Sequence, residues 1–247
     1  HTAYVRSLAF SPDGRHLASA GFDRKIVVWD VSQGVRWIAT LEGHTQSVDH
    51  CAWSPDGTLI ASRSRDKTVR LWDTRTFQQL HLLNVVHTEG IIRVAFSSDG
   101  TRVLFTTEDR TAKIWDASSG VVTLSLEGRT SGVLAACFSP CGKYVASGSG
   151  DKTVRLWRMD DGSCVGTFSE HKDWVWNVAF SPDGNTLSRY LVSGSLYGNI
   201  AVWDVSQGAR KIATLEGHTQ LVNRCVWSPD GTLIASGSWD QTVRLWD

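Results

Sequence analysis

Residues 68–73 read TVRLWD, and the same six letters stand at 242–247. Near copies end at Trp29-Asp30, Trp115-Asp116, Trp157-Arg158 and Trp203-Asp204. Successive tryptophans are 43, 43, 42, 46 and 43 positions apart. A fixed period of this length marks a repeat array and governs every local reading. Around each copy the same order recurs. A "GHT" entry (43–45, 217–219) leads into an alternating run such as SVDHCAW at 47–53. "SPDG" follows as a tight turn, in which proline sets φ, aspartate bonds back to the chain and glycine takes positive φ. Then come TLIAS, a second turn at RSRD, the TVRLWD strand, and an apolar stretch such as WIATL. Val, Ile, Thr and aromatic residues dominate these runs, so each unit predicts four short strands. No segment carries a helical period.

Composition excludes several classes of partner. Lys plus Arg and Asp plus Glu are 25 each, so the net charge is zero and no long-range field draws phosphate backbones. The expectation is no nucleic-acid partner, no membrane span and no cofactor. The five cysteines (Cys51, Cys137, Cys141, Cys164, Cys225) are odd in number and fit no zinc spacing, so they read as thiols of an intracellular, cytoplasmic chain without a metal.

Four short antiparallel strands per period, with "GH" at the entry and "WD" at the exit, resemble the WD-repeat β-propeller family along the whole chain. The resemblance implies an all-β propeller of six blades as one domain over 1–247. The blades run over 1–42, 43–85, 86–127, 128–169, 170–216 and 217–247, around a central channel. Four positions after the His or its equivalent stand Val5, Val48, Ile91, Val133, Val175 and Val222. Nine positions after it stand Phe10, Trp53, Phe96, Phe138, Phe180 and Trp227. Always β-branched and always aromatic, they are expected to pack between neighbouring sheets.

Ser, His and Asp in one unit invite a hydrolase reading, but the set recurs, and neither a "GxSxG" elbow nor a phosphate loop accompanies it. The family resemblance instead implies a structural network: His1, Ser19, Asp23, Trp29; His44, Ser62, Asp66, Trp72; and His218, Ser236, Asp240, Trp246. An indole N–H, a hydroxyl, an imidazole and a carboxylate satisfy one another in series. Three units depart from the pattern: Phe105 replaces the Ser, Arg129 the His and Tyr197 the Asp. The fifth unit also carries about four extra residues in GNTLSRYLVSG (184–194). These three units are expected to lack a complete network and to be softer.

The chain also contains its own comparison. Residues 29–73 and 203–247 align without gaps and differ at nine positions. Two pairs, Val35/Ala209 and Trp37/Lys211, lie on the outer strand. The rest are Ser47/Leu221, Asp49/Asn223, His50/Arg224, Ala52/Val226, Arg63/Gly237, Arg65/Trp239 and Lys67/Gln241. They gather after "GHT" and around the second turn, which the resemblance puts at one rim by the channel mouth. Three positions per unit vary most. The third after the His includes Tyr4, Ser47, Trp174 and Leu221; the fifth includes Arg6, Asp49, Ile92, Trp176 and Asn223. The residue before the network Asp includes Phe22, Arg65, Glu108, Leu196 and Trp239. Aromatic residues and arginine on a rigid surface are the material of binding hot spots. Near-identical units with a few hypervariable positions are similar to the repeat sensor ends of fungal and bacterial NLR-type (STAND) proteins. The expected function is a non-catalytic scaffold or sensing module that binds a protein or peptide on this rim. The alternative is a lectin-like binder of a small ligand or modified peptide at the channel mouth. No outer-strand segment follows the sixth TVRLWD, so the last blade is expected to have three strands. Its open edge predicts a fragment, or self-association with a neighbouring copy.

Overall fold

The computed structural model describes residues 1–84, 90–182, 189–206 and 210–247, and these form six antiparallel sheets without a helix. The first sheet runs β1 (Val5–Phe10), β2 (His16–Gly21), β3 (Ile26–Asp30), β4 (Arg36–Leu41), and the second β5 (Val48–Trp53), β6 (Leu59–Ser64), β7 (Thr68–Asp73), β8 (Gln79–Asn84). The third holds β9 (Ile91–Phe96), β10 (Arg102–Thr107), β11 (Ala112–Asp116) and β12 (Val121–Leu126). The fourth holds β13 (Val133–Phe138), β14 (Tyr144–Ser149), β15 (Val154–Arg158) and β16 (Cys164–Phe168). The fifth holds β17 (Val175–Phe180), β18 (Tyr190–Ser195), β19 (Ile200–Asp204) and β20 (Arg210–Leu215). The sixth has three strands, β21 (Val222–Trp227), β22 (Ile234–Ser238) and β23 (Val243–Trp246). Strand order follows chain order within every sheet, so each is a meander built from hairpins. The chain divides into two compact units, His1–Phe105 with Lys113–Thr123, and Thr106–Ala112 with Leu124–Asp247. The predicted boundary at 85/86, most of the fifth unit's extra residues and part of VSQG at 205–208 lie outside the described residues.

The turns form for the reasons visible in the letters. In "SPDG", Gly57 takes φ 75° and its N–H donates to Ser54 O at 2.9 Å, while Asp56 accepts from the Thr58 N–H at 3.0 Å. The second turn needs a left-handed residue just after the aspartate position. Arg24, Lys67, Arg110, Lys152 and Gln241 supply it at φ 65–73°, and Gly198 does so at 83°. Five side chains thus accept a conformation that glycine would take without strain.

In the first unit, sheets one and two pack Ala18, Ala20, Ile26 and Val28 against Val48, Cys51, Ile60 and Trp72. Sheets two and three pack Ala61, Val69 and Leu71 against Ile91, Val94, Phe105 and Trp115. In the second unit, Ala146, Val154 and Leu156 meet Val175, Val178 and Trp203, and Val192, Ile200 and Val202 meet Val222, Cys225 and Ile234. The β-branched residue four after the His position is at most 4% exposed in five sheets, and each such burial contributes about 1.5–3 kcal/mol. It fits because the facing strand is bare: a Cβ on Gly148 would stand 2.6 Å from Val175 Cγ1. The aromatic five positions further on also pins the sheets where it is tryptophan. Trp53 Nε1 donates to Ala9 O at 2.9 Å, and Trp227 Nε1 to Ala179 O at 3.2 Å.

Val5 and Phe10 depart from the expectation. They are 48% and 64% exposed, because no sheet of their unit covers that face of β1. No helix of the described residues is long and apolar enough to cross a membrane.

Candidate functional site

The polar networks explain why His, Ser and Asp recur. In the second sheet, the Trp72 indole donates to Ser62 Oγ at 2.9 Å, Ser62 Oγ lies 2.8 Å from His44 Nε2, and His44 Nδ1 lies 2.9 Å from Asp66 Oδ2. A carboxylate only accepts, so Nδ1 carries the proton and Nε2 accepts from the serine. Asp66 also accepts from the Thr45 N–H and the Thr68 hydroxyl. Burial pushes its pKa up, but the bonds from His44, Thr68 and Thr45 outweigh that and hold it well below the usual range. The same chain links Trp29, Ser19, His1 and Asp23 at 2.8, 2.7 and 2.8 Å. It links Trp246, Ser236, His218 and Asp240 at 2.8, 2.8 and 2.7 Å.

The three departing sheets are not alike, which corrects the expectation that all would lack a network. In the fourth sheet Arg129 does the work of the histidine. Its Nη1 donates to Asp151 Oδ1 at 2.9 Å and to Thr153 Oγ1 at 2.6 Å, its Nη2 donates to Ser147 Oγ at 2.7 Å, and Trp157 Nε1 donates to the same hydroxyl at 2.7 Å. A guanidinium is long and forked enough to span both ends of the set. Burial lowers the Arg129 pKa to about 10, although Asp151 opposes the shift. In the fifth sheet His171 keeps Ser193 (2.6 Å) and Ser193 keeps Trp203 (2.7 Å), but Tyr197 stands exposed where the aspartate would be. In the third sheet Phe105 fills the serine position, and the buried Trp115 Nε1 has no hydrogen-bond partner among the described residues.

These differences set the cost of one substitution at three places. Trp72→Phe is expected to destabilise by about 1–3 kcal/mol, because it strips a buried hydroxyl of its donor. Trp157→Phe should cost about as much, since Arg129 completes that set. Trp115→Phe breaks no hydrogen bond among the described residues and should cost clearly less. Urea unfolding of the three variants checks the ranking; equal penalties at Trp72 and Trp115 would remove the network's stabilising role.

The variable positions are brought together by two backbone devices. The residue before the aspartate position donates its N–H to the carbonyl of the residue third after the His position: Phe22 to Tyr4, Arg65 to Ser47, Gly150 to Gly132, Leu196 to Trp174 and Trp239 to Leu221, at 2.9–3.1 Å. The fifth position is the extra residue of a β-bulge. The register skips Arg6 between Val5 and Ser7, Asp49 between Val48 and His50, Leu134, Trp176 and Asn223. A bulge frees its residue from the pleat and re-aims its side chain, so three variable residues share one end of each of these sheets. Nothing in the letters signals the bulge.

In the first unit this end is charged and aromatic. Arg65 Nε donates to Asp49 Oδ2 at 2.9 Å, and its guanidinium lies 5.2 Å over the Phe22 ring. Phe22 meets Tyr4 edge to face at 6.0 Å, and Tyr4 is 81% exposed. Ser47 and Ile92 are half-buried. In the second unit the end is rich in tryptophan. Trp174 and Trp176 lie 6.4 Å apart, Trp239 is 66% exposed, and Glu108 and Asn223 are exposed. Leu196 and Trp176 are half-buried. Leu221 is a correction: it is 4% exposed and packs inward, so it offers no contact surface. Arg63, which varies against Gly237 but was not among the expected contacts, runs to the same end as Asp49, 3.5 Å from its carboxylate.

Comparison with known proteins places this architecture. The family described as "WD domain, G-beta repeat" matches residues 1–30, 36–73, 78–116, 120–158, 162–204 and 209–247. Guanine nucleotide-binding protein subunit beta-5b of Danio rerio is 45% identical over 75 residues, 30% of this chain and 19% of that protein. Small ribosomal subunit protein RACK1y of Oryza sativa subsp. japonica is 43% identical over 77 residues, 31% of this chain and 22% of that protein. Protein CIA1 of Arabidopsis thaliana is 36% identical over 83 residues, 31% of this chain and 24% of that protein. Each matched stretch thus spans less than a quarter of the relative's own length. Six consecutive matches, set on six meander sheets of which four carry a His–Ser–Trp chain of hydrogen bonds, mean that the chain belongs to the WD40 repeat family.

Proposed function

We propose that the chain is a non-catalytic interaction module whose six sheets serve as propeller blades and whose variable sheet ends bind a protein partner. One observation carries the reading. Three of the positions that differ between two nearly identical repeats, 47/221, 49/223 and 65/239, are the ones that a bulge and a turn bond gather at one end of each sheet. The shared surface of the repeats is copied while this end swings from Arg65 to Trp239 and from Asp49 to Asn223. Exposed tryptophan and arginine on a rigid frame supply contact area at little entropic cost. The recurring His, Ser and Asp support the non-catalytic part, since each set is committed to its own sheet's hydrogen bonds. One relative is by name a subunit of a guanine nucleotide-binding protein and another a protein of the small ribosomal subunit, which agrees with a partner-binding role.

Trp174→Ala and Trp239→Ala are expected to weaken capture of the partner from native extract by about 1–2 kcal/mol or more each, with the melting temperature nearly unchanged. Unchanged capture with a lowered melting temperature would make them packing residues and reject the reading. A second contact is proposed at β23, which has no strand on its outer side among the described residues and exposes Val243 and Leu245 at 75% and 70%. Such an edge accepts a strand from a second copy. Sedimentation velocity should then show a species that dissociates on dilution, and a concentration-independent monomer would exclude it.

A further inference from the structure

The variable end of the first unit sets the guanidiniums of Arg63 and Arg65 on one carboxylate, that of Asp49, beside the bulge residue Arg6 of the neighbouring sheet. The Asp49 side chain is only 8% exposed. Its Oδ2 accepts from Arg65 and lies 3.5 Å from Arg63 Nη1, while its Oδ1 is buried with no hydrogen-bond partner among the described residues. Arg63 also donates to Ile91 O at 2.9 Å, and its Nε is buried without a partner among those residues. Burial lowers the Arg63 pKa; Asp49 opposes this, and the nearby charges of Arg6 and Arg65 lower it further. Arg6 is the bulge residue at the same end of β1, the strand that packs beside β5 with its bulge residue Asp49. Three cations against one anion leave a local charge of about +2 in a chain whose net charge is zero.

The fold does not ask for this charge. At the position of Arg63, the fourth, fifth and sixth sheets carry Gly148, Gly194 and Gly237. Crowding like charges around a part-buried guanidinium costs stability unless a counter-anion arrives. A single carboxylate would leave one positive charge uncompensated. A phosphate monoester, at about −1.5 to −2 near neutral pH, matches the cluster, and its oxygens suit the forked donors of arginine. Phe22 beneath Arg65, with Tyr4 beside it, forms an apolar wall against which the guanidinium stacks and keeps its edge free to donate.

We propose that Arg6, Arg63 and Arg65 bind a phosphorylated side chain of the protein partner. This rests on the reading of the variable sheet ends as the partner-binding surface, and makes binding by this half conditional on modification of the partner. The test is a titration of the isotope-labelled chain with a capped pentapeptide that carries phosphoserine at its centre and glycine on either side. Saturable shifts are expected at the Arg65 side-chain Nε–Hε and at the backbone amides of Arg6 and Asp49. The glutamate and unphosphorylated versions of the peptide should bind at least tenfold more weakly. Arg6→Gln, Arg65→Gln and Arg63→Gly should each weaken the phosphopeptide at least tenfold, while Arg36→Gln, at an exposed arginine on the outer strand of the first sheet, leaves it unchanged. Arg63→Gly installs the residue that three other sheets carry there, and an unaltered amide spectrum elsewhere shows that it folds. Absence of saturable shifts, equal binding of the glutamate peptide, or indifference to the arginine changes overturns the proposal. So does equal affinity for inorganic phosphate or for a short oligonucleotide, which would make the cluster a free-anion or nucleic-acid site. If the phosphopeptide fails while Tyr4→Ala and Trp239→Ala still weaken partner capture, the surface reading stands and only the phosphate proposal falls. If those variants also leave capture intact, both fall.

Discussion

Arg129→Met is expected to destabilise the second unit by about 3–5 kcal/mol, the range for breaking a buried ion pair from one side. Arg129 is 5% exposed, and its guanidinium satisfies Asp151, Thr153 and Ser147 together. Methionine fills much of the volume but leaves the Asp151 carboxylate, itself 6% exposed, without its cation. Arg129→His should cost far less. Asp151, Thr153 and Ser147 occupy the places of Asp66, Thr68 and Ser62, which hold an imidazole in the second sheet. Urea unfolding followed by tryptophan fluorescence, which reads Trp157 beside the site, checks both variants. A loss below about 1 kcal/mol for the methionine variant would show that solvent reaches Asp151 and that the guanidinium is dispensable.

Lowering the pH from 7 to 4 is expected to remove about 3 kcal/mol of stability through His171 alone. Burial, with the Lys211 charge added and Glu170 opposing, depresses its pKa from the ordinary 6.5 to about 4. Below pH 6.5 the unfolded chain binds a proton that the folded chain refuses. The contribution is therefore complete above about pH 6.5 and is lost as pH falls toward 4. The networks of the second and sixth sheets lose stability in a different window. Asp66 and Asp240 are held well below their ordinary 3.8, so their contribution is present above that value and fades only in stronger acid. His171→Gln removes the titrating group. The stability gap between the parent and this variant should shift by about 3 kcal/mol, in the variant's favour, between pH 7 and pH 4. A gap that stays constant with pH would mean that His171 is protonated in the folded state and has a counter-charge.

Much of this was legible in the letters because it is local. A glycine after Pro-Asp needs positive φ, and a run such as TVRLWD needs a sheet, whatever surrounds them. The repeat of about 43 residues then multiplies each local reading by six, so family, strand count and the residues of three networks could be read directly. The variable positions were legible for the same reason, since the second and sixth repeats differ at nine places only. What those positions do was not. The bulge at Arg6, Asp49, Trp176 and Asn223 has no proline or glycine to announce it, and it arises from how two strands pair.

The sequence by itself determined what repeats: the sheet period, the two turns, and the set of donors and acceptors that each complete unit must satisfy. The tertiary structure decided what happens where a repeat departs from its pattern. The replacement of a histidine by Arg129 looks like a loss until the guanidinium is seen reaching residues 18 to 24 positions away. Phe105 looks like a similar loss and is one, because a phenyl ring offers the Trp115 indole no acceptor. Val5 and Val222 hold the same place in their units, yet one is 48% exposed and the other buried, since only the second has a sheet of its own unit across from it. Leu221 and Trp239 hold neighbouring places on one sheet end, yet one packs inward and the other stands in solvent. Backbone pattern follows from neighbours along the chain. Satisfaction, burial and reach follow from neighbours in space, and only folding brings those together.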